Sequence, residues 1–268
     1  MKKKRADNLL VEQGFVENKK EALAHIMSGK VFTRKEIRIL TPGENLAADT
    51  KLYIKGQEKK YVSRGGFKLE KALSTFGIQL EGKTVLDIGA STGGFTDVSL
   101  KNGAKKVYAL DVGTNQLAWK LRSHDQVIVM EQTNFRHSLP EDFKEGRPEF
   151  ATIDVSFISL ELIFPALYPV LEDKGEVVAL IKPQFEAERE EVGEGGIVSD
   201  PSVYRSVLEK ITEMAKEESF GLQDLTISPI QGAKGNIEFL SYFVKDVFKE
   251  KDSEELIEQL LVTENLKE

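Results

Sequence analysis

The chain of 268 residues is 40% apolar and holds no cysteine, three histidines, and 37 Lys+Arg against 44 Asp+Glu, a net charge of −7. That apolar share supports a folded core and excludes wholesale disorder, while the absence of thiols excludes disulfide scaffolds, thiolate nucleophiles and cysteine-held zinc. His25, His124 and His137 are scattered without metal-ligand spacing, so no metal is expected, and no stretch approaches the ~20 apolar residues of a membrane span.

The start, "MKKKRADNLLVEQG", has a basic cluster with no apolar run behind it, which does not fit a signal peptide and leaves a cytoplasmic protein as the expectation. Residues 1–60 carry 14 basic and 8 acidic side chains, a balance of +6; the remaining 23 basic and 36 acidic residues give −13. A basic head on an acidic body fits a head that meets a polyanion, although a solvated lysine-rich surface reads the same way.

In the head, "RADNLLVEQ" puts Leu9, Leu10 and Gln13 near one helical face, and Gly14 ends it. "NKKEALAHIMSGKV" predicts a second helix, with Asn18 as N-cap, Glu21 three residues on, and Ala22, His25, Ile26 and Met27 along it. "KVFTRKEIRI" and "TKLYIKG" follow as β-like pieces around the turn "TPGEN". The predicted division is a small domain over 1–60, a linker over 61–67 and a larger domain over 68–268.

"SRGGFKLEKAL" opens the larger unit: two glycines, then Leu69, Ala72 and Leu73 at helical spacing, with Lys68 unexplained at the helix entrance. Beyond residue 80 strands alternate with helices: "KTVLDIGA", "KKVYALDV", "QVIVMEQ", "EFATIDVSF" and "GEVVALIKP" read as strands, and "LAWKLRS" and "PSVYRSVLEKITEMAKEESF" as helices. "LQDLTISPI" and "FLSYFVKD" are later strands, and "DSEELIEQLLVTENLKE" closes as an acidic helix. Such alternation predicts an α/β fold with a parallel sheet and helices on both faces.

Within "TVLDIGASTGGFTDVSL" a strand runs through glycines into a helix, the geometry that lets a ligand approach the backbone at a strand's end. Gly89, Gly93 and Gly94 miss the dinucleotide G-x-G-x-x-G spacing, which counts against NAD. Asp87 suits a ligand with a cationic amine, as S-adenosylmethionine is, and Asp111 stands where an acid would bind ribose hydroxyls. Asp154 and Lys182 each end an apolar strand, Glu238 interrupts "NIEFLSYF", and Lys68 sits at the hinge. Singly, each reads as a strand-end ion pair; together they suggest a desolvated lysine with depressed pKa, oriented by carboxylates.

The order "SRGGFKL", "LDIGASTGGFTD", "IDVSF", "IKPQFE", "GNIEFL" resembles the TlyA (haemolysin A-like) family of ribosomal RNA 2′-O-methyltransferases, relatives of the FtsJ/RrmJ ribose methyltransferases, over nearly the whole chain. The head resembles the small RNA-binding domain shared by a small-subunit ribosomal protein, pseudouridine synthases and tyrosyl-tRNA synthetases. The resemblance implies a Rossmann-like class I methyltransferase domain behind a small α+β RNA-binding domain. It implies a catalytic tetrad of Lys68, Asp154, Lys182 and Glu238, and S-adenosylmethionine held by Asp87, Gly89, Ser91, Gly93, Gly94, Phe95, Asp111 and Asn134. The "APGG" of many such loops is "STGG" here, which loses proline's fixed φ. Lys3, Lys4, Arg5, Lys19, Lys20, Lys30, Arg34 and Arg64 are the expected RNA contacts, and ribosomal subunits, with cytidine as target nucleoside, the expected partners. The alternatives are a non-catalytic RNA-binding assembly factor and, from the family's traditional name, a membrane-active haemolysin.

Overall fold

The head comprises β1 (Lys3–Arg5), α1 (Ala6–Glu12), α2 (Lys19–Met27), β2 (Val31–Thr33), β3 (Asn45–Ala47) and β4 (Leu52–Ile54). The computed structural model describes residues 3–56, 60–247 and 252–266. Residues 1, 2 and 57–59 of the expected head, and the last two residues of the expected closing helix, lie outside the described residues.

Asn18 caps α2 by accepting the Glu21 N–H at 3.0 Å, and Glu21 reaches back to the Glu17 N–H at 3.1 Å, one residue earlier than a standard capping box. Ala22 and Ile26, one turn apart, enter the head's core with Leu9, Leu10, Val31 and Ile54. Met27 does not: it is exposed. Nor does Gln13 pack there; its amide donates to the Thr50 carbonyl at 2.7 Å and accepts the Leu52 N–H at 3.0 Å, tying α1 to β4. β1 pairs antiparallel with β3, and β2 with β4. β1 and β3 have three residues each, too few for a periodic signal, and β3 begins inside the stretch read as turn.

The body runs α3 (Gly66–Phe76), β5 (Thr84–Ile88), α4 (Gly94–Lys101), β6 (Lys106–Leu110), α5 (Trp119–Arg122), β7 (Val127–Met130), β8 (Phe150–Ile153), α6 (Phe164–Val170), β9 (Glu176–Ile181), α7 (Pro183–Glu186), α8 (Pro201–Glu217), β10 (Phe220–Ile227), β11 (Phe239–Lys245) and α9 (Ser253–Thr263). One seven-stranded sheet has the order β10-β11-β9-β8-β5-β6-β7. β5 to β9 are mutually parallel, but β11 enters antiparallel between β9 and β10. The parallel reading fails at that edge because residues 228–238 supply no crossover helix, and a tight return reverses the strand.

Alternation along the strands divides the core. Leu86, Ile88, Val177 and Ala179 pack under α6, α8 and α9, while Val85, Val178 and Leu180 pack under α3 and α4. The chain leaves β5 toward β6 on one side and returns to β8 on the other. The carboxyl ends of β5 and β8 therefore flank a topological switch point, where open α/β sheets bind ligands.

Candidate active site

Lys68 lies in the first turn of α3, four residues before Ala72, which puts it on the helix's core-facing stripe. There it is buried, and its ammonium donates to Glu238 Oε2 at 2.8 Å and Asp154 Oδ2 at 3.2 Å. Asp154 directly follows β8, and its other oxygen, Oδ1, lies 2.6 Å from Lys182 Nζ. Lys182, between β9 and Pro183, also donates to the Val155 carbonyl at 2.6 Å and to Ser156 Oγ at 3.2 Å. Three acceptors thus face a group with three donors as an ammonium. Glu238 precedes β11 and is buried. Four residues from four segments thereby join in one chain of contacts, Glu238–Lys68–Asp154–Lys182.

The electrostatics are nearly balanced. Burial alone would lower the Lys68 pKa, but Asp154 and Glu238 outweigh it and raise it. Lys68 is therefore held as the charged ammonium. Burial likewise works to raise the Asp154 pKa, and the charges of Lys68 and Lys182 overcome it and hold it below the usual carboxylate range.

Two cavities of about 420 and 430 Å³ open beside this chain and share Gly89, Ser91, Asp154 and Ser156 in their walls. Each is of a size that holds a small molecule. Asp87, Phe95 and Gly94 line the first, with Lys68, Lys182 and Glu238; Asp111 and Asn134 line the second. Asp87 is almost fully buried, its carboxylate accepting the hydroxyls of Thr96 at 2.6 Å and Thr152 at 3.1 Å, and burial pushes its pKa up to about 6. Asp111 accepts the N–H groups of Ser91 at 2.8 Å and Gly113 at 2.7 Å, which leaves each oxygen one lone pair for a ligand hydroxyl. Asn134 caps the turn Phe135–His137.

Gly89 has φ +83°, and a Cβ there would stand 2.8 Å from the Asp154 carbonyl. The close approach of β5 and β8 therefore demands glycine. Gly93, φ +92°, lines neither cavity; the side chains of Leu117 and Leu121 fill the space a Cβ would need. Gly94 has a different reason. A Cβ on it would meet Ser63 Oγ at 2.5 Å and the Gly66 N at 2.9 Å, so the start of α4 is packed against Ser63 and the first residue of α3. Asp97, one turn further, accepts the Val62 N–H at 2.9 Å. Gly94→Ala is expected to destabilise by about 1–3 kcal/mol through overpacking, measured as the shift in denaturant midpoint at unchanged slope.

Of the eight basic residues, Lys4, Lys19 and Arg64 line a groove of about 920 Å³ between the head and the loop 229–235. It runs on into the first cavity, since Glu12, Arg64 and Gly232 belong to both. Lys3, Arg5, Lys20, Lys30 and Arg34 lie off it, and Arg5 is engaged by Asp7. Sequence reading missed Lys234, which lines the groove from the body at φ +59°. It also missed Phe157, 90% exposed at the mouth of the second cavity, with φ +63° and its ring centroid 5.0 Å from that of Phe185. "IDVSF" was a visible signal for Phe157; for Lys234 there was none.

A model of the FtsJ-like methyltransferase family matches residues 61–260. The chain is 54% identical to the provisionally named rRNA methyltransferase YqxC of Bacillus subtilis, over 89% of this chain and 85% of that one. It is 40% identical to the 16S/23S rRNA (cytidine-2′-O)-methyltransferase TlyA of Mycobacterium tuberculosis, over 88% of this chain and 87% of that one. A solved structure from Streptococcus thermophilus, provisionally named a hemolysin, is 50% identical, covers all of both chains and superposes with a TM-score of 0.77. The chain belongs to the FtsJ-like methyltransferase family.

Proposed function

We propose that this FtsJ-like methyltransferase transfers a methyl group from S-adenosylmethionine to a ribose 2′-hydroxyl of ribosomal RNA, with cytidine as the nucleoside. One observation carries the reading: the linked Lys68, Asp154, Lys182 and Glu238 share a cavity wall with the glycine loop. The names of the relatives agree with it, and a 2′-hydroxyl target restricts the substrate to RNA. In this reading residues 1–60 capture RNA, 61–67 link, 68–268 catalyse, and the enzyme works on ribosomal subunits in the cytoplasm.

The two joined cavities, the unfilled lone pairs of Asp111 and the buried carboxylate of Asp87 suit the cofactor. Asp87, Gly89, Ser91, Gly94 and Phe95 would hold its amino-acid end, Asp111 its ribose and Asn134 its adenine, with Gly93 shaping the loop. When bound, it supplies an electrophilic methyl group on a sulfonium. Lys182 first gives one ammonium proton to solvent, which leaves two N–H donors for its three acceptors, and the freed lone pair then receives the proton of the attacking 2′-hydroxyl, restoring the ammonium. Lys68 stabilises negative charge as it develops on that oxygen, and Asp154 and Glu238 fix both lysines. The chain's share is mainly alignment, so small displacements should be costly. The groove lined by Lys4, Lys19, Arg64 and Lys234 leads the RNA strand to this cluster.

The test is tritiated methyl transfer from S-adenosylmethionine to unmodified 30S and 50S subunits, by wild type and Lys182→Ala. Label in RNA with wild type alone supports the reading; cofactor binding without label on either subunit would favour the assembly factor. Among the described residues no helix is long and apolar enough to cross a membrane; the haemolysin reading has the name given to the Streptococcus thermophilus structure behind it.

Two further results are expected. Removing Lys234 or Lys19 by glutamine should weaken binding across RNA sequences and lower the log–log salt slope by about 1 each, read from filter binding over a salt series. Phe157→Ala should cost about 1–3 kcal/mol of RNA affinity if its exposed ring stacks on a base, read by filter binding at saturating cofactor because the ring also walls the second cavity.

A further inference from the structure

Glu186 takes no part in the chemistry above, yet it is buried at the end of α7, four residues after Lys182. Its carboxylate accepts the Ser159 hydroxyl at 2.6 Å and the Leu160 N–H at 3.0 Å. Those partners begin the turn Leu160–Leu162, five and six residues after Asp154. The segment 154–160 and the segment 182–186 are therefore tied twice. At one end Lys182 binds Asp154, Val155 and Ser156; at the other Glu186 binds Ser159 and Leu160. Between the ties lie only Phe157, Ile158 and, opposite them, Pro183 to Phe185. Phe157 and Ile158 also wall the second cavity.

Phe157 itself is exposed, at positive φ, with its ring against Phe185, while Val155, Ile158 and Leu160 pack on the core. The polar ties are what join this loop to α7. A free 154–160 segment would carry Asp154 and the acceptors of Lys182 with it.

We propose that Glu186 is a positioning residue: by clamping residues 159–160 to α7 it fixes the loop that presents Asp154 and orients Lys182. This rests on the proposed role of Lys182. The surroundings of the clamp are mixed. Lys210 on α8 donates to the Glu186 carbonyl at 3.2 Å and pairs with Glu161 at 3.4 Å, so one cation and one further acid face it. Burial, opposed by the Ser159 and Leu160 hydrogen bonds and by Lys210, pushes the Glu186 pKa up to about 7. The ionised carboxylate accepts both bonds. A protonated carboxyl, or a glutamine, can accept from Leu160 and must donate to the serine oxygen instead.

The experiment compares wild type, Glu186→Gln and Glu186→Ala by amide exchange of the full chain and by rates of methyl transfer to 30S and 50S subunits between pH 6 and 9. Glu186→Ala should speed exchange across 154–160 by about tenfold or more, leave the head unchanged, and lower kcat by about 10–100-fold with little change in KM. Glu186→Gln should keep loop protection and most of kcat across this pH range, because its amide can accept from Leu160 and donate to Ser159. Unchanged exchange in Glu186→Ala would overturn the proposal. So would a kcat loss in Glu186→Gln as large as in Glu186→Ala, or equal loosening of the whole chain. If wild type transfers no methyl group at all, the proposed function fails, and exchange at 154–160 alone decides the clamp.

Discussion

Replacing Lys182 with alanine is expected to lower kcat for methyl transfer by about 10²–10⁴-fold, the usual contribution of a positioned proton acceptor. Cofactor affinity is to be measured beside kcat, because Lys182 lines the first cavity together with Asp87, Gly89 and Phe95, which would hold the cofactor's amino-acid end. The sharper variant is Lys182→Arg. A guanidinium is not deprotonated in proteins and is also too bulky and planar to reproduce the contacts of Lys182 with Asp154, Val155 and Ser156. If Lys182 accepts the hydroxyl proton, arginine should be as inactive as alanine under single-turnover conditions. Retained activity in Lys182→Arg would sink the base role and leave Lys182 as a donor that steers the hydroxyl.

Asp154→Ala should damage both activity and stability. Its carboxylate is shared between two ammonium groups whose side chains are 10% and 7% exposed, and it is itself only 21% exposed. Removing one partner from a buried ion pair leaves uncompensated charge, at about 3–5 kcal/mol. Glu238 still serves Lys68, and two neutral oxygens still serve Lys182, so the lower end of that range is expected. The sign of the pH dependence is fixed by the lowered Asp154 pKa. The carboxylate stabilises the fold fully above the ordinary aspartate value of about 3.9, and that contribution fades as pH falls through the lower folded value. Denaturant curves of wild type and Asp154→Ala should therefore differ most near neutrality and converge in acid. Adding Lys182→Met to Asp154→Ala should restore much of the stability and none of the activity.

The parallel strands were legible because both faces of β5, β8 and β9 are buried, which leaves near-continuous apolar runs in the sequence. Direction is another matter. Nothing in "FLSYFVK" says that β11 runs against β9; that follows from a short connection and from the place left open in the sheet. Lys68 was marked by its place at the hinge where an apolar helix begins, and Asp154 and Lys182 by ending apolar strands. The sequence could not show that Asp154 bridges both lysines, since that depends on where α3 crosses the sheet. Glu186 and Lys234 stayed hidden for a similar reason. The burial of one and the groove position of the other come from segments far along the chain.

That distance has a consequence for how the enzyme is made. Lys68 and Glu238 are 170 positions apart, and β11, which Glu238 introduces, slots between two strands already threaded. Contacts so remote in sequence carry a large loop-closure cost and are late to form. The glycine turn needs only β5, α4 and their neighbours, and Asp154 follows β8, so a chain without β11 in place can own the turn and the Lys68–Asp154 pair while Glu238 is still missing. Catalytic competence then arrives with the insertion of one late strand, and any change that slows that insertion would lengthen the life of a species that is compact but inert.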